Sequence, residues 1–169
     1  MSSESARQEV ADLYLANRNG VIRYLVASGI SPDMAAEAAQ EAFLRLYQAR
    51  SGGEQIREPQ LWVYRVARNA ALNSIRVLRR QTMLPDAWES TLASGEVSAE
   101  TQAIDIEWME GFGKALRGLS ERQRLCLELR SQGMRYREIA AVLDIKISTA
   151  AEYVRRGIEE LKKWNRKKT

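Results

Sequence analysis

Arg65, Asn69, Asn73, Arg76, Arg79 and Arg80 recur mostly at spacings of three or four residues. On a helix turning about 100° per residue they share one third of the circumference. Guanidinium groups bind phosphate through paired hydrogen bonds, and asparagine amides address base edges. Trp62 lies on the same side, at the N-terminal end of the run, where an aromatic ring can stack on an unpaired base. The chemistry available here is the binding of nucleic acid, not the making or breaking of bonds. A solvated arginine face with a core tryptophan is the plain alternative, but the interleaved asparagines favour nucleic acid. Leu72 interrupts the stripe.

The remaining chemistry-bearing residues exclude more than they suggest. The 169 residues contain no histidine and one cysteine, Cys126, set between Leu125 and Leu127. That rules out a disulfide within the chain and a His/Cys zinc cluster, and reads as a small buried hydrophobe. With no paired-carboxylate motif and no glycine loop for phosphate, no catalytic residue, metal site, cofactor or small-molecule substrate is expected. Charge is distributed in blocks: net −2 over 1–56, +5 over 57–81, −7 over 82–112 and +8 over 113–169. Two basic segments flanking an acidic one suit two separate polyanion contacts.

Two further faces emerge from periodicity. In the run that starts at Pro32, Ala35, Ala38, Ala39, Ala42, Phe43 and Leu46 fall on one side of a helix. Glu37, Gln40, Glu41, Leu44 and Gln48 fall on the other. This reads as a core stripe with a solvated face, in which Leu44 is the one hint of a binding surface. Near the C-terminus, residues 136–143, the turn 144–146 and the run from Ile147 have the length and pattern of a helix-turn-helix, with the small Ala140 at the crossing. Ile147, Ala150, Ala151, Val154, Ile158 and Leu161 form its apolar stripe, while Ser148, Thr149, Glu152, Arg155 and Arg156 point outward.

The elements that must position these faces are all helical, since strand-like alternation is absent. A first pair of helices is expected over 4–16 and 18–28, closing at Gly29. Ser31-Pro32-Asp33 supplies a cap, a proline at the first helical position and an acid in the first turn. That helix runs to about Arg50 and stops at Ser51-Gly52-Gly53. Glu58-Pro59 opens a long helix through Arg80. The Ser/Thr-rich acidic stretch 82–103 reads as a flexible linker. A second helical unit begins near Ile104, with a Ser-x-x-Gln capping box at Ser120 and a stop at Gly133. The expected architecture is all-α, with two small helical domains (4–81 and 104–166) joined by a flexible linker.

Taken together these segments resemble sigma factors of the extracytoplasmic-function (ECF) type. Residues 32–47 (PDMAAEAAQEAFLRLY) look like the family's region 2.2, which docks on the clamp helices of the RNA polymerase β′ subunit. The resemblance implies a docking role for Glu37, Gln40, Glu41, Phe43 and Tyr47, with Leu44 in the same surface. Residues 61–73 (LWVYRVARNAALN) are similar to regions 2.3 and 2.4, which open and read the −10 element as a single strand. That carries Trp62, Arg65, Asn69, Asn73, Arg76, Arg79 and Arg80 to the −10 DNA, with the loop 51–55 at the place of a captured base. Residues 116–124 (LRGLSERQR) and the helix-turn-helix match region 4, which reads the −35 element as duplex. Tyr136, Ser148, Thr149, Glu152, Arg155 and Arg156 are the implied contacts. Segments 56–59 and 148–154 also look like the iron-uptake subgroup.

The chain departs from the family at Asn73, where aspartate is frequent, and at Lys146, where many relatives carry a polar cap. Ala151 and Glu152 stand at positions often basic or polar. Glu152 repels phosphate, although a glutamate can accept from cytosine N4. Gly157 interrupts the last helix, at about 1 kcal/mol relative to alanine. The resemblance implies an alternative sigma factor that binds core RNA polymerase and promoter DNA and is held by an anti-sigma factor. A stand-alone helix-turn-helix regulator of duplex DNA is the alternative on residues alone. The N-terminus lacks an apolar secretion core and no run approaches about 18 apolar residues, so a cytoplasmic, non-membrane-spanning protein is expected.

Overall fold

The computed structural model describes residues 3–82 and 113–166, which belong to two compact units. The first unit holds three helices: α1 (Ser3–Ala27), α2 (Pro32–Ser51) and α3 (Pro59–Thr82). The second holds α4 (Glu121–Ser131), α5 (Tyr136–Leu143) and α6 (Ile147–Arg166), preceded by helical residues 113–117. Apart from Thr82, which ends α3, the expected linker 82–103 and the helical start near Ile104 lie outside the described residues.

In the first unit α2 packs against both α1 and α3. Its inward side is Ala35, Ala38, Ala39, Ala42, Phe43 and Leu46, all buried, as the periodicity requires. Four alanines among six positions let the neighbouring helices approach closely. The larger volumes come from α1 and α3: Tyr24 and Tyr64 are buried with ring centroids 5.6 Å apart. Tyr14 meets Phe43 edge-on at 5.1 Å.

The first two expected helices are one. α1 runs unbroken because Ala6, Val10, Val21, Tyr24 and Leu25 keep a single face buried along its length. Asn17, the residue that looks like a break, lies on that same face. Its amide donates to the Leu13 carbonyl at 3.0 Å, which satisfies a half-buried polar group locally. α1 ends where Gly29, at φ 85°, adopts the left-handed turn that glycine tolerates and Ile30 N–H returns to the Leu25 carbonyl. Ser31 sits at the N-cap of α2, but its side chain makes no capping bond. The helix start therefore rests on Pro32 at the first position and Asp33 in the first turn.

The second unit is built as expected at its first cap. Ser120 Oγ accepts from Gln123 N–H at 3.3 Å and Gln123 Oε1 accepts from Ser120 N–H at 2.8 Å. Leu125, Cys126 and Leu129 of α4 are buried against α6, together with Ile139, Val142 and Leu143 of α5. Burial pushes the Cys126 thiol up to about 11, so it stays protonated and is a packing residue and no nucleophile. Asp144 takes a left-handed conformation (φ 53°, ψ 54°) and closes α5 into the tight turn before α6.

The seat of α6 differs from its expected stripe. Ala150, Val154 and Gly157 are buried, whereas Ile147 is 55% and Ile158 39% exposed. The buried line ends at Gly157, where α6 lies against Leu127 of α4. A Cβ there would lie 2.7 Å from Leu127 Cδ1 and 3.2 Å from Cγ. Gly157 is thus a contact point and not a mere interruption. Gly157→Ala is expected to forfeit the gain of about 1 kcal/mol that alanine brings to a helix interior. The clash with Leu127 offsets it, as overpacking costs on the order of 1–3 kcal/mol. A double-mutant cycle with Leu127→Ala, followed by urea denaturation, should show a coupling of about 1 kcal/mol or more.

Candidate nucleic-acid interface

The basic stripe of α3 is displayed as the spacing requires. Arg65, Asn69, Asn73, Arg76, Arg79 and Arg80 are all exposed, while Val63, Tyr64, Ala67, Ala70 and Ala71 on the opposite side are buried. Trp62 is half-buried at the head of the stripe. Burial on α3 stops at Ala71. Val77 and Leu78, on the apolar side, are 51% and 49% exposed, so the last three turns are accessible nearly all round.

On α2 the polar side is equally open. Glu37, Gln40 and Leu44 are exposed, Leu44 to 54%, and Glu41 and Tyr47 are partly so. Phe43 is different: it is 4% exposed and packed on Tyr14, so it can only support this surface from beneath. Glu41 is paired with Arg45 one turn on. The two faces meet, because Glu41 and Arg45 of α2 line the same shallow cleft of about 350 Å3 as Asn73, Ser74, Val77 and Leu78 of α3.

One positioning residue escaped the sequence reading. Arg50, at the end of α2, is 12% exposed and its Nη2 donates both to Glu9 Oε1 (2.9 Å) and to the Ile56 carbonyl (3.0 Å). It ties α1 to α2 and fixes the far end of the exposed loop 51–55, which leads into α3. No local pattern marks it, since Glu9 lies forty-one residues away. Arg50→Met is expected to cost about 1.5–3 kcal/mol, the range for hydrogen bonds to charged groups. Urea denaturation would measure it, and limited proteolysis should show faster cleavage within 51–58.

In the second unit the candidate contacts converge on the outer side of α5 and α6. Tyr136 opens α5, 39% exposed, with the Arg130 guanidinium 5.3 Å from its ring centroid. Ser148, Arg155 and Arg156 are exposed, and Thr149 and Glu152 partly so. The two arginines are not loose. Arg155 donates to Glu152 through Nε (2.9 Å) and Nη2 (2.7 Å), and to Glu159 through Nη1 (2.6 Å). Arg156 Nε donates to Glu152 Oε1 at 2.6 Å. These hydrogen bonds, Arg155's first, pull the Glu152 carboxyl down to about 2. The i,i+3 and i,i+4 spacings of these residues were the signal for this network.

Among the described residues no group of His, Cys, Asp and Glu is arranged to hold a metal ion, and no helix is long and apolar enough to cross a membrane. The arrangement offers exposed basic and amide groups on two units and an acidic-apolar face on one. Comparison with known proteins gives the family. Sigma-70 region 2 matches residues 13–81 and sigma-70 region 4 matches residues 110–161. The ECF RNA polymerase sigma-E factor of Escherichia coli K12 is 30% identical over 150 residues, 83% of this chain and 76% of that protein. Its namesake from Salmonella typhimurium LT2 is 29% identical over the same coverage. In fold, the chain is similar to the sigma factor RpoE of Bartonella quintana, solved in complex with the anti-sigma factor NepR. The TM-score is 0.68 at 19% identity, over 94% of this chain and 98% of that one. With two helical units that match regions 2 and 4, and a relative 30% identical across most of both chains, the protein belongs to the ECF family of RNA polymerase sigma factors.

Proposed function

We propose that this alternative sigma factor, which binds core RNA polymerase and directs it to promoters, divides recognition, melting and initiation among three faces. The α2 face, with Glu37, Gln40, Glu41, Leu44 and Tyr47 over the buried Phe43, docks on the β′ clamp helices. Trp62, Arg65, Asn69, Asn73, Arg76, Arg79 and Arg80 hold the displaced −10 strand. Binding energy gained only by open DNA then favours the melted state. Tyr136, Ser148, Thr149, Glu152, Arg155 and Arg156 enter the major groove of the −35 element. The domains are 4–81 and 104–166, with 82–103 between them.

The observation that carries this reading is the exposed stripe of arginine and asparagine on α3, next to the open face of α2 within one unit. The chain performs no catalysis of its own and works in the cytoplasm. An anti-sigma factor holds it when idle, a reading supported by the NepR complex of its structural relative. Within the family we assign it to the iron-uptake subgroup, on segments 56–59 and 148–154. Run-off transcription with purified core polymerase on genomic fragments tests the whole scheme. Discrete start sites that require both core and this chain support it. Tight promoter binding without polymerase, and no new start sites, would instead mean a stand-alone regulator.

A further inference from the structure

Glu152 lies at the centre of the outer side of α6, opposite the buried Ala150, Val154 and Gly157. A carboxylate facing phosphate is repulsive, yet here its charge is already met by Arg155 and Arg156. Arg155 also holds Glu159, so the two arginines and two glutamates sum to zero. The middle of α6 is therefore a neutral hydrogen-bonding surface and not a phosphate clamp.

The hydrogen bonds leave a defined vacancy for a donor. An ionised carboxylate accepts at about four lone-pair sites. Oε1 takes Arg155 Nη2 and Arg156 Nε, while Oε2 takes only Arg155 Nε. One acceptor site on Oε2 remains, on a side chain 40% exposed. In the major groove the exocyclic amines of cytosine and adenine are the donors, and guanine presents acceptors only. Adenine sets an acceptor, N7, beside its amine, which a carboxylate does not satisfy. Cytosine N4 is the partner that fits.

We propose that Glu152, buttressed by Arg155 and Arg156, is a base-specificity residue that selects a cytosine in the −35 duplex. The inference rests on the assignment of α6 to the −35 groove. It also means that this part of α6 contributes to sequence choice and little to salt-dependent affinity.

The test is transcription by core polymerase with the full-length chain on a promoter library randomised across the −35 element. The wild type should demand C·G at one position, with discrimination of roughly tenfold or more. Glu152→Ala should erase the preference at that position and leave the others in place. Glu152→Gln, whose amide both donates and accepts, should move it toward adenine. Thermal melts confirm that both variants fold. A wild-type profile that survives unchanged in both variants, with output raised equally on every sequence, would reduce Glu152 to an electrostatic restraint and overturn the proposal alone. A wild-type profile that is flat across the −35 element would overturn the groove assignment together with it.

Discussion

Glu37→Lys combined with Gln40→Ala should weaken binding to core RNA polymerase by roughly 30- to 1000-fold, at unchanged stability. Truncating a central interface residue costs on the order of 2–4 kcal/mol, and like-charge contacts cost a similar amount. Every 1.4 kcal/mol or so is tenfold in affinity. Both residues are exposed on α2 and none of its buried positions is touched, so thermal unfolding should shift by less than about 0.5 kcal/mol. Fluorescence titration of the labelled chain with core polymerase measures the loss. Unchanged affinity would remove the α2 face from the docking surface. A lowered melting temperature would mean that Glu37 or Gln40 supports the bundle, contrary to its exposure. Leu44→Ala, at a side chain 54% exposed beside them, should add to the effect without reaching its size.

Leu129→Ala should unfold the second unit while the first stays native. Leu129 is fully buried in α4, under the contact with α5 and α6. Removing a leucine side chain from a core costs about 2–5 kcal/mol. Small domains sit at the lower end of the usual stability range of about 5–15 kcal/mol, so the loss approaches the total. The two units have separate cores, so urea denaturation should show one transition lost and one preserved. Binding to core polymerase through α2 should persist, whereas initiation that depends on the −35 element should disappear. Ile158→Ala is the control: at 39% exposure it should cost under about 1 kcal/mol despite the same kind of deletion. Simultaneous loss of both transitions would show that the units fold as one.

The inward side of α2, the capping box at Ser120 and the span of α5 were readable in advance. Each depends on contacts within a turn or two of helix: an apolar period near 3.6, a cap three residues from its partner, a stop residue. The same holds for the exposed stripe of α3. A helix that buries Val63, Ala67, Ala70 and Ala71 must turn Arg65, Asn69 and Asn73 outward. The family resemblance was legible because these local patterns fall in a definite order along the chain.

What the tertiary structure decided is which part of each pattern meets a neighbour. Asn17 reads as a break, but the face on either side of it is held against α2 and α3, and the helix continues. Ile147 and Ile158 belong to the apolar stripe of α6, yet α4 approaches nearer Gly157 and leaves them at the exposed margin. Val77 and Leu78 continue the apolar side of α3 past the point where burial stops. Arg50 finds Glu9 across forty-one residues, a pairing that no local spacing encodes. Periodicity gives the direction of a side chain about its own helix axis. Where the next axis lies, and at what distance, is set by the packing of all three helices at once, and only the folded chain contains it.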